Sequence, residues 1–181
     1  MTPRALLLYG PPGSGKDTIT AALTRLNPAY QLAERLKAGP GRTHGYRMTT
    51  METIDALTAR GDVLWRNDRY SSTYATDRPH LDQMLADHQI PVLHLGQADA
   101  IPAVTTAAPD ISWTVVELWC PRDVMIERVT ARGTGDIDER IAAYDQTPPL
   151  HGPTLRVSTA TFEPAAIARW INILIRDSDG S

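Results

Sequence analysis

Between positions 10 and 18 the chain runs Gly10-Pro11-Pro12-Gly13-Ser14-Gly15-Lys16-Asp17-Thr18, with the spacing GxxxxGK. Residues of these types suit one kind of chemistry. Glycines let consecutive backbone N–H groups turn inward around an anion, a helix starting just after them adds its positive end, and a lysine supplies a full charge. A polyphosphate is the ligand that fits, with Lys16 reaching the β- and γ-phosphates and Thr18 the α-phosphate. After such a lysine the pattern places a Ser or Thr that binds magnesium, and here it is Asp17. A carboxylate is still a hard oxygen ligand, so Asp17 could hold Mg²⁺ directly or through water; it could equally cap the start of the helix.

A second concentration of chemistry lies further on. Arg35, Lys37, Arg42, Arg47, Arg60, Arg66, Arg69 and Arg78 gather basic charge into a stretch that also holds Tyr46, Tyr70 and Tyr74. Planar guanidinium groups and tyrosine hydroxyls together suit a second anion site, although any single arginine there can be a solvated surface residue. Arg128, Arg132 and Arg140 form a third group. Fixed planar cations could neutralise charge on a transferring phosphoryl group, whereas at helical spacing Arg128 and Arg132 would repel and Asp136 would attract Arg140.

Positioning these groups requires a scaffold. Apolar runs at 5–9, 63–65, 91–95 and 113–119, with a weaker one at 154–157, suit strands covered on both faces. Stretches with helical spacing lie at 17–26, 51–59, 78–88, 122–132 and 163–175. Strands alternating with helices predict a parallel α/β sheet, with the GxxxxGK segment between its first strand and first helix. In the last helix Ile167, Trp170, Ile171, Leu174 and Ile175 fall on one face, which predicts packing against the sheet. Segments 39–45 and 133–138 have the composition of loops, and 177–181 is a polar tail.

With 181 residues, 42% of them hydrophobic, the chain has the size and core of a single domain spanning 1–181. A net charge of -3 gives no global attraction to nucleic acid or to an anionic membrane, so the partner expected is a small phosphorylated molecule. Cys120 is the only cysteine and follows an apolar run, as a buried thiol does. The apolar run at 5–9 is too short for a signal or a membrane span, so the expectation is a cytoplasmic protein, monomeric or homodimeric.

The chain resembles the guanylate kinase branch of the nucleoside monophosphate kinases, a branch that includes the ribose 1,5-bisphosphate phosphokinases, over almost its whole length. Several members of that branch also carry GKD followed by Ser or Thr. Segment 34–78, ERLKAGPGRTHGYRMTTMETIDALTARGDVLWRNDRYSSTYATDR, is similar to their acceptor-binding insert, here about 33–76. The resemblance implies that Arg35, Lys37, Tyr46 and Tyr74 grip an acceptor phosphate while Asp68 and Thr76 face its base or sugar. Segment 125–147, MIERVTARGTGDIDERIAAYDQT, resembles their lid, about 132–146 here, and implies that Arg128, Arg132 and Arg140 close over ATP. The implied fold is a three-layer P-loop NTPase with a parallel five-stranded sheet, an acceptor insert and a lid. The implied activity is transfer of the γ-phosphoryl of ATP, with Mg²⁺, to a phosphate. Gln97 stands where guanylate kinases carry an aspartate and Pro40 where an acidic residue is usual, so guanine is not the expected acceptor base. Leu95-Gly96-Gln97 resembles the glycine turn of the ribose bisphosphokinases. A catalytically silent, guanylate-kinase-like binding domain is the alternative. A GTPase switch does not fit, because the chain has no Asn/Thr-Lys-x-Asp motif and its only Asp-x-x-Gly begins at Asp177 in the tail.

Overall fold

The computed structural model describes residues 2–41, 43–69, 71–133 and 136–177. Arg42, Tyr70, part of the 133–138 loop and the end of the tail lie outside them. Five parallel strands form the central sheet in the order β2-β7-β1-β8-β9: β1 (Arg4–Tyr9), β2 (Tyr30–Leu32), β7 (Ile90–Leu95), β8 (Ser112–Trp119) and β9 (Leu155–Ser158). Around it stand α1 (Lys16–Leu26), α3 (Arg78–Ala86), α4 (Ala100–Ala107), α5 (Arg122–Ala131) and α7 (Pro164–Asp177).

Alternation along β1 explains the layers. Leu6 and Leu8 turn to one face and pack with Ile19 and Leu23 of α1 and Ile167, Ile171 and Ile175 of α7. Ala5 and Leu7 turn to the other and meet Leu81 and Met84 of α3 and Val104 of α4. Both faces are dry, and Ala5 through Tyr9 are fully buried, which is why the strand is a continuous apolar run. One residue expected on the packed face of α7 is not there: Trp170 stays 38% exposed and meets the Phe162 ring edge-on at 5.0 Å. The sheet-facing stripe is narrower than the sequence suggested, because Ile167, Ile171 and Ile175 at steps of four already fill it.

The run at 63–65 is a strand but not of this sheet. It opens β5 (Val63–Arg69), which pairs antiparallel with β6 (Ser72–Asp77) in a second sheet ordered β4-β3-β6-β5. The other members are β3 (Arg35–Ala38) and β4 (Tyr46–Met48), parallel to each other. The fifth strand of the central sheet is instead β2, three residues long with Gln31 in its middle, too short and polar to stand out in sequence. Helix α2 (Met51–Ala59) covers one face of the second sheet, where Ile54 and Leu57 pack on Leu36, Ala38 and Ala75. Helix α3 ends two residues before position 88, and His88 there takes a left-handed φ of 58°. A helix, α6 (Ile137–Asp145), occupies the segment expected to close over the site. Among the described residues no helix is long and apolar enough to cross a membrane.

Candidate phosphate-transfer site

The phosphate loop leaves β1 at Gly10, whose N–H donates to the Leu95 carbonyl at 3.3 Å. Its glycines are demanded by crowding as much as by φ. A Cβ on Gly10 would sit 2.2 Å from the Leu118 carbonyl oxygen, and one on Gly13 2.8 Å from Met125 Cγ. Gly15 is the N-cap of α1, so Asp17 lies inside the first helical turn and is not the cap. Its side chain is 67% exposed. The capping alternative is thereby removed, and a carboxylate remains beside Lys16 where a metal-binding hydroxyl ordinarily stands.

Lys16 folds back over the loop, donating to the Gly10 and Pro11 carbonyls at 2.5 and 3.0 Å. Burial lowers its pKa to about 8; Asp17 opposes that shift, and Arg35 and Arg132 add to it. Keeping this ammonium charged at neutral pH therefore costs folding free energy, a cost that a phosphate placed against it would offset. Thr18 is exposed beside the loop and shares a cavity of about 300 Å³ with Gly15 and Arg132. Among the described residues no group of three or more His, Cys, Asp or Glu converges, so a magnesium ion here would draw most of its ligands from phosphate oxygens and water, as this ion commonly does.

Arg128 departs from expectation. Its guanidinium donates to the Gly13 carbonyl at 3.1 Å, to Thr159 Oγ1 at 2.9 Å and to the Thr159 carbonyl at 2.8 Å. Those bonds tie the loop to the turn after β9 instead of pointing at a ligand. Cys120 is buried beneath the same loop, as expected, with burial raising its thiol pKa.

Asp17 lines a cavity of about 480 Å³ to which the second sheet contributes Arg35 and Tyr46. Strand pairing places Arg35 opposite Tyr46 and Lys37 opposite Tyr74, all on the face away from α2. The Tyr46 and Tyr74 rings lie 5.2 Å apart. Arg35 Cζ stands 5.3 Å from the Tyr74 centroid, and Lys37 Nζ 5.6 Å from both centroids. Lys37 is 2% exposed, an unusual depth for a lysine, with its ammonium lying over the two tyrosine rings. Most of the remaining basic run is structural. Arg47 pairs with Asp77, Arg60 with Asp62, Arg66 with Asp55, and Arg78 with Asp82 and Asp110.

The same pairing corrects the placement of Asp68. It is opposite Thr73, whose hydroxyl donates to it at 2.5 Å, on the face that carries α2; its second neighbour is Arg66 at 3.8 Å. A one-residue shift reverses the face of a strand. Asn67 is what lies opposite Tyr74, and Trp65 opposite Thr76, on the face of Arg35 and Lys37. Asn67 Oδ1, Thr76 Oγ1 and Gln97 Oε1 are buried without a hydrogen-bond partner among the described residues. Native buried oxygens are seldom left so, and a bound ligand is one way to satisfy them.

No protein-family model and no curated protein matches the chain. Solved structures do. The guanylate kinase of Anaplasma phagocytophilum superposes with a TM-score of 0.62 and 13% identity, over 99% of this chain and 88% of its own. A candidate kinase from Chloroflexus aurantiacus does so with a TM-score of 0.54 and 17% identity, over 99% and 98%. The chain has a P-loop kinase fold.

Within that fold the two remaining lid arginines face different sites. Arg132 ends α5 beside Gly15 and Thr18, on the phosphate-loop side. Arg140, on α6, pairs with Asp136 at 2.7 Å as its helical spacing predicted. It lines a cavity of about 580 Å³ together with Lys37, Tyr46 and Tyr74. Two functional candidates escaped the sequence reading altogether. Asn67 was hidden by its neighbour Asp68, and His94 by the apolar run of β7, where a lone histidine carries no spacing signal.

Proposed function

We propose that the protein is an ATP-dependent phosphotransferase that moves the γ-phosphoryl group to the phosphate of a small acceptor, of the nucleoside monophosphate or ribose 1,5-bisphosphate type. The observation that carries this reading is the opposition of two anion-binding sites. Asp17, next to Lys16 of the glycine loop, lines a cavity of about 480 Å³ that Arg35 and Tyr46 also line, and these two belong to a cation-tyrosine cluster with Lys37 and Tyr74. A silent binding domain would have use for the first site alone.

Phosphoryl transfer demands positioning and charge neutralisation more than covalent help from the protein. The loop N–H groups and Lys16 would hold the triphosphate, with Arg128 bracing the loop and Arg132 over the donor. Lys37, the two tyrosines and Arg140 would fix the acceptor phosphate, an oxygen nucleophile that needs no strong base. Magnesium, held at Asp17 directly or through water, would supply neutralisation of the phosphate oxygens. Asn67, Thr76 and Gln97 offer hydrogen bonds to the rest of the acceptor. The setting proposed is the cytoplasm, acting as monomer or homodimer on small molecules.

Steady-state kinetics with ATP against nucleoside monophosphates and ribose phosphates test this. At least one should drive ATP turnover, while GMP stays poor, because sites that hydrogen-bond a group reject analogues lacking it by large factors. A GMP efficiency of about 10⁶ per molar per second or more would make this an ordinary guanylate kinase. Turnover with none would favour the silent domain. The pH profile should also bend: kcat/KM for ATP reports groups of the free enzyme, so it falls as Lys16 loses its proton above about pH 8. An efficiency that stays flat to pH 10 would contradict that role for Lys16.

A further inference from the structure

His94 sits near the end of β7 on the wall of the 480 Å³ cavity, with a side chain only 15% exposed. Both ring nitrogens point at the first turns of α1. Nε2 is 2.7 Å from Thr20 Oγ1 and Nδ1 is 3.5 Å from Asp17 Oδ1. Thr20 is itself 8% exposed, so this end of the contact is fixed. The tautomer follows from the surroundings. A lone pair on Nδ1 would face a carboxylate, so the proton belongs on Nδ1, and Nε2 accepts the Thr20 hydroxyl proton. Asp17 by contrast is 67% exposed, and without a partner its carboxylate would sample several rotamers. Lys16 and Arg35 are the charged groups that face the ring along with Asp17.

We propose that His94 is a positioning residue: held by Thr20, it presents Nδ1–H to one oxygen of Asp17 from the neighbouring strand on the same face of the sheet and so turns the other toward the divalent cation carried by a bound nucleotide. This rests on the reading of Asp17 as a metal ligand. It also ties the metal position to the second sheet, because the histidine that orients Asp17 lines the same cavity as Arg35 and Tyr46. Groups that orient a ligand in this way commonly carry about ten- to a hundredfold in metal affinity.

Mn²⁺ binding to the full chain saturated with ADP, counted by electron paramagnetic resonance, tests the idea without any turnover. Asp17→Asn should weaken Mn²⁺ binding about tenfold, and His94→Leu by a similar factor. His94→Asn keeps an N–H near the Nδ1 position and should recover binding to within about threefold of the parent. In the Asp17→Asn background His94→Leu should cost nothing more, because its effect runs through that carboxylate. Metal-free ADP affinity should not change in His94→Leu. If Asp17→Asn weakens the ion while His94→Leu leaves it unchanged, the proposal fails and Asp17 remains a ligand. If Asp17→Asn changes nothing, the metal reading of Asp17 fails and takes the proposal with it. A loss of metal-free ADP affinity equal to the loss of Mn²⁺ affinity would make His94 a structural residue only. Should His94→Leu not fold, Thr20→Val removes the other end of the contact: a drop of about threefold in Mn²⁺ affinity supports the proposal, and parental affinity overturns it.

Discussion

Lys16→Ala is expected to lower kcat by about 100-fold or more, in line with the loss of a preorganised cation at a transferring phosphoryl group, while the thermal melt stays where it is. The fold should tolerate the change because the hydrogen bonds of Lys16 go to the loop's own Gly10 and Pro11 carbonyls and Ser14 hydroxyl, and because burial already opposes its charge. Turnover with the acceptor found by screening and the circular dichroism melt are measured on the same preparation. Activity within about tenfold of the parent would remove the phosphate loop from the mechanism.

Gly10→Ala is expected to act on the fold itself. The new methyl carbon would lie 2.2 Å from the Leu118 carbonyl oxygen and 2.7 Å from Ser14 Oγ, at a φ of 154° that side chains disfavour. The obstructing atom is backbone of Leu118, itself fully buried in β8, so no rotamer change can relieve it. Clashes of this kind fall among the largest single-residue effects, about 4 kcal/mol, which for a chain of this length lowers the melting temperature by roughly 10 °C. Gly61→Ala serves as a control: its φ of 77° is equally unsuited to alanine, but nothing lies within 4 Å of the new carbon. If both variants melt together, crowding against β8 is not what fixes Gly10.

The glycine loop was legible from the sequence by itself. A glycine loop between a buried strand and a helix is local, and its chemistry follows from residue types within nine consecutive positions. The apolar runs of β1, β7 and β8 were legible because nearly all their residues are buried or half-buried and leave little polar alternation, whereas the edge strand β9, with Arg156 exposed, stood out only weakly. The Asp136–Arg140 pair was legible because its partners are one helical turn apart.

Tertiary structure decided everything that depends on which face or which partner. The run at 63–65 has strand composition, but only pairing with β6 shows that it belongs to the second sheet, since an apolar run does not say where it docks. Asp68 and Asn67 are adjacent in the chain and on opposite faces in the fold, so a register error of one residue exchanges a surface carboxylate for a buried amide. Arg128 had the spacing of a lid cation, yet the turn after β9 captures its donors from 31 positions away. His94 gave no signal at all: its meaning comes from Thr20 and Asp17, 74 and 77 residues earlier, which the parallel sheet brings beside it. Local chemistry is written in short spacings, whereas the face a side chain presents is set by hydrogen bonds to strands that the sequence does not name.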